Sequence, residues 1–366
     1  MKRIAVLVLG VVISVVSLYY ALKGFDLNHI WDSMRNVQVG FFLLMIVPYI
    51  LTFMTKVWRW RVLLHPDGDR ISTSFLLAAI MIQYIPLPFR AGELGRIAVT
   101  TVKTGIPAPR VVSTVLVEKV LDVLTLLLML GIALPFVTLP EAMKGSATTA
   151  GAGFLGVALA LLLLVLKPDI AKKLVWLVAS RLPAHLGPRI EVITDHALEG
   201  LAPMSNPRLA TKVVLWSLAT WGVNAVTIYF LMRSFNVDAT PMAAVTVMVA
   251  ANLGMAVPSA PGYVGPFEFA VVTALTVLGV AQIPAQTFAI IYHFIALVPV
   301  ATLGIIAALQ QGVGITAFRP APPVDITTPS DDLKAPDALG PTNGAVGLPP
   351  TSTTEPEPTA VGRDKR

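Results

Sequence analysis

Up to Gly314 the chain is a succession of long apolar runs separated by short polar breaks. A helix needs roughly 20 apolar residues to cross a bilayer. Spans are predicted over residues 4–22, Val39–Trp60, Val111–Val137, Ala152–Leu166, Leu209–Met232 and Pro284–Leu309. The Met1-Lys2-Arg3 start has the charge of a signal sequence, but the apolar run to Leu22 is too long for its apolar core and no small-x-small site closes it. It reads as an uncleaved first span. In two places the pattern differs: Ile71–Ile85 with Ala91–Val102, and Met242–Val257 with Gly265–Leu278, are pairs of half-length apolar pieces. Each pair predicts a helix that enters the membrane, breaks and returns.

The two breaks resemble one another. Ile85-Pro86-Leu87-Pro88 leads to Glu93, and Val257-Pro258-Ser259-Ala260-Pro261-Gly262 leads to Glu268, 175 positions later. Gly105-Ile106 answers Gly279-Val280, and Lys119 answers His293, each 174 positions on. This is an internal duplication of a hydrophobic unit, and paired interrupted helices at matching places point to a transporter's binding site. The predicted fold is all-α: a polytopic membrane domain over residues 1–318, with repeat one at 39–137 and repeat two at 209–309, each containing a broken or re-entrant helix pair.

Composition agrees with the setting. The chain is 55% hydrophobic and only 13% charged, with a mean hydropathy of +0.75, which excludes a soluble enzyme with a greasy core. It has no cysteine, so disulfides and thiolate chemistry are excluded. The net charge of +6 is spread through membrane-flanking loops and not gathered in one patch. That distribution favours lipid headgroups over nucleic acid.

The same charges predict orientation. With the N-terminus inside, most cations, among them Lys2, Arg3, Lys56, Arg59, Arg61, Arg70, Arg208 and Arg319, fall on the cytoplasmic side, and only Lys23, Arg35, Lys144 and Arg233 fall outside. Trp58 and Trp60 join Lys56, Arg59 and Arg61 in an interfacial belt at the end of the second span. Three spans separate the broken elements, so the repeats are predicted to be inverted. Two full crossings in place of each re-entrant pair would give the same parity. Residues 167–208 place Ile170, Leu174 and Leu177 at helical spacing, as they do Ile190, Ile193 and Ala197. They read as an amphipathic segment on the inner surface or as a linker over the bundle. Residues 319–366 are rich in Pro, Thr, Asp and Ala without apolar periodicity, and are expected to be a disordered cytoplasmic tail.

The candidate chemistry lies in charges predicted inside the bilayer: Arg90, Glu93, Arg96, Glu118, Lys119, Asp122, Glu268 and His293. A lone charge there costs at least ~2.5 kcal/mol at the helix centre, so each must pair or work. Glu93 and Arg96 share a helix face, as do Glu118, Lys119 and Asp122, so neutralisation within each set is easy. The competing structural reading is a salt-bridge network that locks the broken helix to the third span. At Gly262 and Gly265, as after Pro88, the chain restarts a helix, and a helix start offers unpaired N–H groups to an anion such as a lipid phosphate. The alternative is that these glycines only kink a packed helix.

Together, Pro88-x-Arg90-x-Gly92-Glu93-x-x-Arg96, Glu118-Lys119-x-x-Asp122 and Pro261-Gly262-x-x-Gly265-x-x-Glu268 resemble the signature of the transmembrane, flippase-like region of lysylphosphatidylglycerol synthases and their stand-alone relatives. The resemblance spans roughly Met1 to Gly314. It implies a role in moving or handling lipids in the bacterial cytoplasmic membrane, with both termini cytoplasmic. Lys119 and His293 stand where relatives commonly have arginine, and Tyr263 and Val264 occupy a turn that is often richer in glycine. The sequence carries no aminoacyl transferase domain, so lysyl transfer is not implied.

Three functions compete. A lipid translocase would use Arg90, Arg96 and the two helix starts, after Pro88 and at Gly262 or Gly265, to hold a phosphate while Glu93 and Glu268 accept a cationic headgroup or a proton, with Glu118, Lys119, Asp122 and His293 completing the substrate site. An intramembrane enzyme is disfavoured, because there is no Gly-x-Ser-x-Gly elbow, no phosphate-binding loop and no histidine cluster. An accessory subunit of a cell-envelope glycosyltransferase or lipid synthase is the third. The expectation is a translocase that is not an enzyme, with membrane lipids as partners and neither cofactor nor metal.

Overall fold

The computed structural model describes residues 2–26, 28–87, 91–136, 203–238 and 240–314, with isolated positions between 145 and 159. Most of the expected fourth span, the amphipathic segment as far as residue 202, the tail and Arg90 lie outside the described residues. Among the described residues there are helices and turns and no strand.

Ten helices of eight residues or more are described: α1 (Lys2–Leu22), α2 (Asn28–Arg35), α3 (Val39–Leu63), α4 (Thr73–Ile82), α5 (Ala91–Thr104), α6 (Ala108–Ala133), α7 (Pro207–Ser234), α8 (Pro241–Ala256), α9 (Pro266–Val277) and α10 (Gln282–Gln310). Of these, α3, α7 and α10 are long and apolar enough to span a membrane. The half-length pieces are α4 and α5, then α8 and α9. Their boundaries follow local chemistry. Ser72 accepts the Phe75 N–H and Thr240 accepts the Ala243 N–H, while Pro207, Pro241 and Pro266 stand in first turns where no N–H is needed. The short α2 is not evident from the apolar runs, because it is brief and polar.

The frame is an antiparallel pair, α3 along α7. As residue number rises in α3 it falls in α7. Phe41 stacks on Phe230, Thr220 donates to Thr55, and Trp58 lies against Trp216. At one end the Gln38 N–H donates to the Ser234 carbonyl (2.8 Å), and the Asn236 amide donates to Asn36 (2.9 Å). The half-length pieces then cross over. The α4 helix packs on α10, and α8 packs on α6. Small residues allow the closest approaches: a methyl at Gly304 would come within 2.5 Å of the Met81 carbonyl, and one at Gly254 within 2.5 Å of that of Pro266. Apolar side chains on α3 and α10, such as Val47, Ile50, Phe294 and Leu309, remain exposed on the outer faces. In a protein this apolar they face lipid, and the chain is a multi-pass membrane protein.

One reading needs correction. Arg59, expected in an interfacial belt, is fully buried. The α3 helix runs one turn past Trp60 and turns Arg59 inward, towards Asp122 and Glu118 of α6. Trp60 is also buried, and its indole N–H donates to Thr114 (3.1 Å).

Candidate functional site

Both breaks open onto one cavity of about 730 Å³. Residues 83–87 line it from the first break and residues 257–263 from the second. Between them, α3 contributes Tyr49, Thr52, Phe53 and Lys56, α7 contributes Trp221, Asn224 and Thr227, and α10 contributes Tyr292 and His293. Glu93 of α5, Asn252 of α8 and Gly10 of α1 complete the polar and close-packed parts of the wall. The result is a mostly apolar chamber with several aromatic rings and a few polar groups, the usual make-up of a binding pocket.

At the second break the backbone turns through Gly262 (φ 82°) and Gly265 (φ 99°), a region that side chains avoid. Gly265 is needed twice over, because a methyl there would lie 2.2 Å from the carbonyl of Ser14 in α1. Ser14 in turn accepts the Ala260 N–H (2.9 Å), so α1 is fastened to this break. The next helix starts at Pro266, and Glu268 folds back so that its Oε2 accepts the Gly265 N–H (2.7 Å). Its Oε1 lies 2.5 Å from His293 Nδ1. His293 Nε2 lies 2.7 Å from the Gly262 carbonyl, and Phe267 stacks on the ring. One histidine therefore ties α10 to both sides of the turn.

The first half has the matching pair. Lys119 Nζ of α6 is 2.8 Å from Glu93 Oε1 in the first turn of α5. Glu93 and Lys119 are the residues that answer Glu268 and His293 in the duplicated sequence. The pairing is between helices in both halves, and it differs from the intrahelical neutralisation expected from spacing.

A deeper cluster lies beneath. Glu118 Oε2 accepts from Arg96 Nη2 (2.9 Å), its Oε1 lies 3.3 Å from Arg96 Nη1, and Arg59 Nη2 stands 3.4 Å away. Arg96 also donates to Gln83 (2.7 Å), and its guanidinium lies 3.7 Å from the centre of the Trp60 ring. Arg59 Nη1 donates to Asp122 (2.6 Å), which also accepts from the Trp221 indole (3.0 Å). Both arginines are wholly buried, and Glu118 nearly so. Two cations against two carboxylates leave the cluster neutral, and this satisfies the demand that buried charge be paired.

Of the sequence candidates, Glu93, Gly262 and His293 line the cavity. Glu268, Gly265 and Lys119 stand behind that wall as direct partners, and Arg96, Glu118 and Asp122 belong to the buried cluster. Lys56, which its place at the end of a span assigns to the interfacial belt, lines the cavity instead. Its ammonium lies in the cavity wall, 2.6 Å from the Tyr84 hydroxyl and over the Trp221 ring at 5.7 Å. No carboxylate is within ion-pairing distance of it among the described residues. The clue was available: Thr52, Lys56 and Arg59 follow one another at helical spacing with Trp60 and Leu63, as an inward stripe would. Among the described residues no group of three or more His, Asp or Glu could hold a metal ion.

The family described as lysylphosphatidylglycerol synthase TM region matches residues 7–304. The chain belongs to that family. The match takes in both breaks, the cavity and both glutamate-centred pairs. A curated relative, the glycosyltransferase AglD of Haloferax volcanii, is 23% identical over 347 residues, covering 86% of this chain and 56% of the relative. The chain thus spans little more than half the length of that protein. No solved structure matches it.

Proposed function

We propose that this family member is a lipid translocase, in which the cavity between the two breaks receives the polar headgroup of an anionic or zwitterionic envelope lipid. The observation that carries this reading is that two duplicated breaks, distant in sequence, line one chamber. Lys56 supplies a cation without a carboxylate partner among the described residues, suited to a phosphate, and the hydroxyl of Tyr84 and the amides of Asn224 and Asn252 offer it hydrogen bonds. Glu93 can meet the cationic part of a zwitterionic headgroup. Arg96, Glu118, Asp122 and Arg59 hold the helices that shape the chamber and do not touch its contents. The chain itself catalyses no covalent step in this reading.

The architecture proposed with it is a pair of inverted repeats, α3–α6 and α7–α10, with the N-terminus in the cytoplasm. Support comes from the packing. Exchanging α3 with α7, α4 with α8, α5 with α9 and α6 with α10 turns the contact of α4 on α10 into that of α8 on α6. The same exchange turns Glu93–Lys119 into Glu268–His293. An axis in the membrane plane would produce both.

A photoreactive phospholipid with its reactive group beside the phosphate tests the site. Cross-links should map to Tyr84, Trp221 and their cavity neighbours, and cross-links confined to the outer faces of α3 and α10 would oppose the reading. The accessory-subunit reading has its own support, since the aligned relative is named a glycosyltransferase and extends well beyond the matched part. Under that reading the protein co-purifies with such an enzyme and moves no lipid alone.

A further inference from the structure

The three contacts around His293 set the fewest protons the site can hold. The Gly262 carbonyl can only accept, so His293 Nε2, 2.7 Å away, must carry a hydrogen. The Gly265 N–H can only donate, so Glu268 Oε2 must accept it. Between Nδ1 and Oε1, 2.5 Å apart, there must then be one hydrogen, held by either atom. An imidazolium with a carboxylate and an imidazole with a carboxylic acid both satisfy the three contacts, and both make the pair neutral. Removing that hydrogen sets two lone pairs face to face. If the remaining imidazole proton moves to Nδ1 instead, the Gly262 contact is lost. All three contacts therefore require the shared hydrogen, and its loss breaks a tie at the second break.

We propose that Glu268–His293 is a coupling-proton site, and that loss of its shared proton releases the second break of the cavity wall. This deepens the translocase reading by naming the ion that would drive it. The corresponding place in the first half lacks this three-contact arrangement, because Lys119 meets Glu93 through a single ammonium and has no second ring nitrogen to hold a backbone carbonyl. His293 lines the cavity, so a proton can reach it from there.

The surroundings leave the pair isolated. Apart from Glu268 and His293, the sequences of α9 and α10 contain no charged residue, and neither do those of α4 and α8 that pack on them. The described part of α1 facing α9 offers Tyr19 and Tyr20, both exposed. From α2, against α10, come His29, Asp32 and Arg35, each at least partly exposed. The cavity lining adds Glu93 and Lys56, with Tyr49 and Tyr84, from the other elements, and Tyr263 and Tyr292 from beside the pair itself.

The chain has no cysteine, so Ser259→Cys in the otherwise unaltered chain gives a single thiol beside the break. Its N-ethylmaleimide labelling rate, divided by that of a free thiolate at each pH, reports opening without requiring transport. The corrected rate should rise with pH, by up to about tenfold per unit as for a one-proton transition. Glu268→Gln keeps all three contacts without the shared proton: its amide donates to Nδ1, its oxygen accepts Gly265, and Nε2–H still meets Gly262. In the Ser259→Cys background it should abolish the alkaline rise. His293→Lys, which copies the first half, should do likewise. An alkaline rise that persists unchanged in both variants, or no rise in the parent, overturns the proposal. Should labelling behave as expected while proteoliposomes move no lipid, the proton site stands and the translocase reading falls.

Discussion

Lys119 Nζ meets Glu93 Oε1 at 2.8 Å in the first half of the protein, in the place that His293 and Glu268 occupy in the second. In each pair a glutamate from the first turn of the helix after a break is held by a cation-capable residue from the next long helix. A partly exposed carboxylate and a deeply buried one should differ in what their loss costs. Glu118, whose side chain is 3% exposed between two arginines, contrasts with Glu93, 25% exposed against one lysine.

Glu118→Gln should therefore destabilise the protein by about 3–5 kcal/mol, because Arg96 and Arg59 would be left buried with too little negative charge. Glu93→Gln should cost about 1 kcal/mol or less. Reversible unfolding in mixed micelles, followed by tryptophan fluorescence, gives both values. Equal losses would mean that the two carboxylates are equivalently embedded.

Topology can be read with single thiols. Lys103→Cys, in the last turn of α5, and Ala281→Cys, just after α9, are exposed and occupy similar places in the two halves. With inverted repeats an impermeant maleimide should label Ala281→Cys from outside intact cells and Lys103→Cys only after lysis. Labelling of both from one side would refute the inversion.

The packing of α1 rests on one missing methyl. Gly265→Ala would bring a carbon within 2.2 Å of the Ser14 carbonyl, whereas Gly105→Ala, also at positive φ, meets nothing within 4 Å. Gly105→Ala should cost only the backbone term of about 1–2 kcal/mol. Gly265→Ala should cost more and should expose the α1 contact to protease. Equal melting temperatures for the two variants would show that α1 is not seated on the break.

Most of the helical frame could be read from the sequence, because lipid demands long apolar runs and prolines and glycines punctuate them. The two half-length pairs begin and end within a few residues of their expected places, and the 174–175 offset anticipated which residues would correspond. What hydropathy could not supply was direction around the helix axis. Arg59 looks interfacial by its place at the end of a span, yet it faces Asp122 because α3 continues to Leu63. Lys56 was lost among the same flanking cations. The ion pairs also differ from those that spacing suggested. Residues three or four apart can meet, but Arg96 reaches Glu118 and Lys119 reaches Glu93 because neighbouring helices bring opposite charges closer. Arg90, outside the described residues, keeps only its sequence-based assignment.

The central claim is that a lipid headgroup occupies the chamber between the breaks, and leaflet-resolved transport of a fluorescent phospholipid in proteoliposomes tests it most directly. Wild-type protein should move the lipid well above the rate of protein-free vesicles. Lys56→Ala should remove most of that activity while leaving thermal stability near wild type, because no ion pair among the described residues depends on Lys56, and Lys56→Arg should retain part of it. A stable Lys56→Ala protein that moves lipid as fast as the wild type, or wild-type protein no faster than empty vesicles, would contradict the claim.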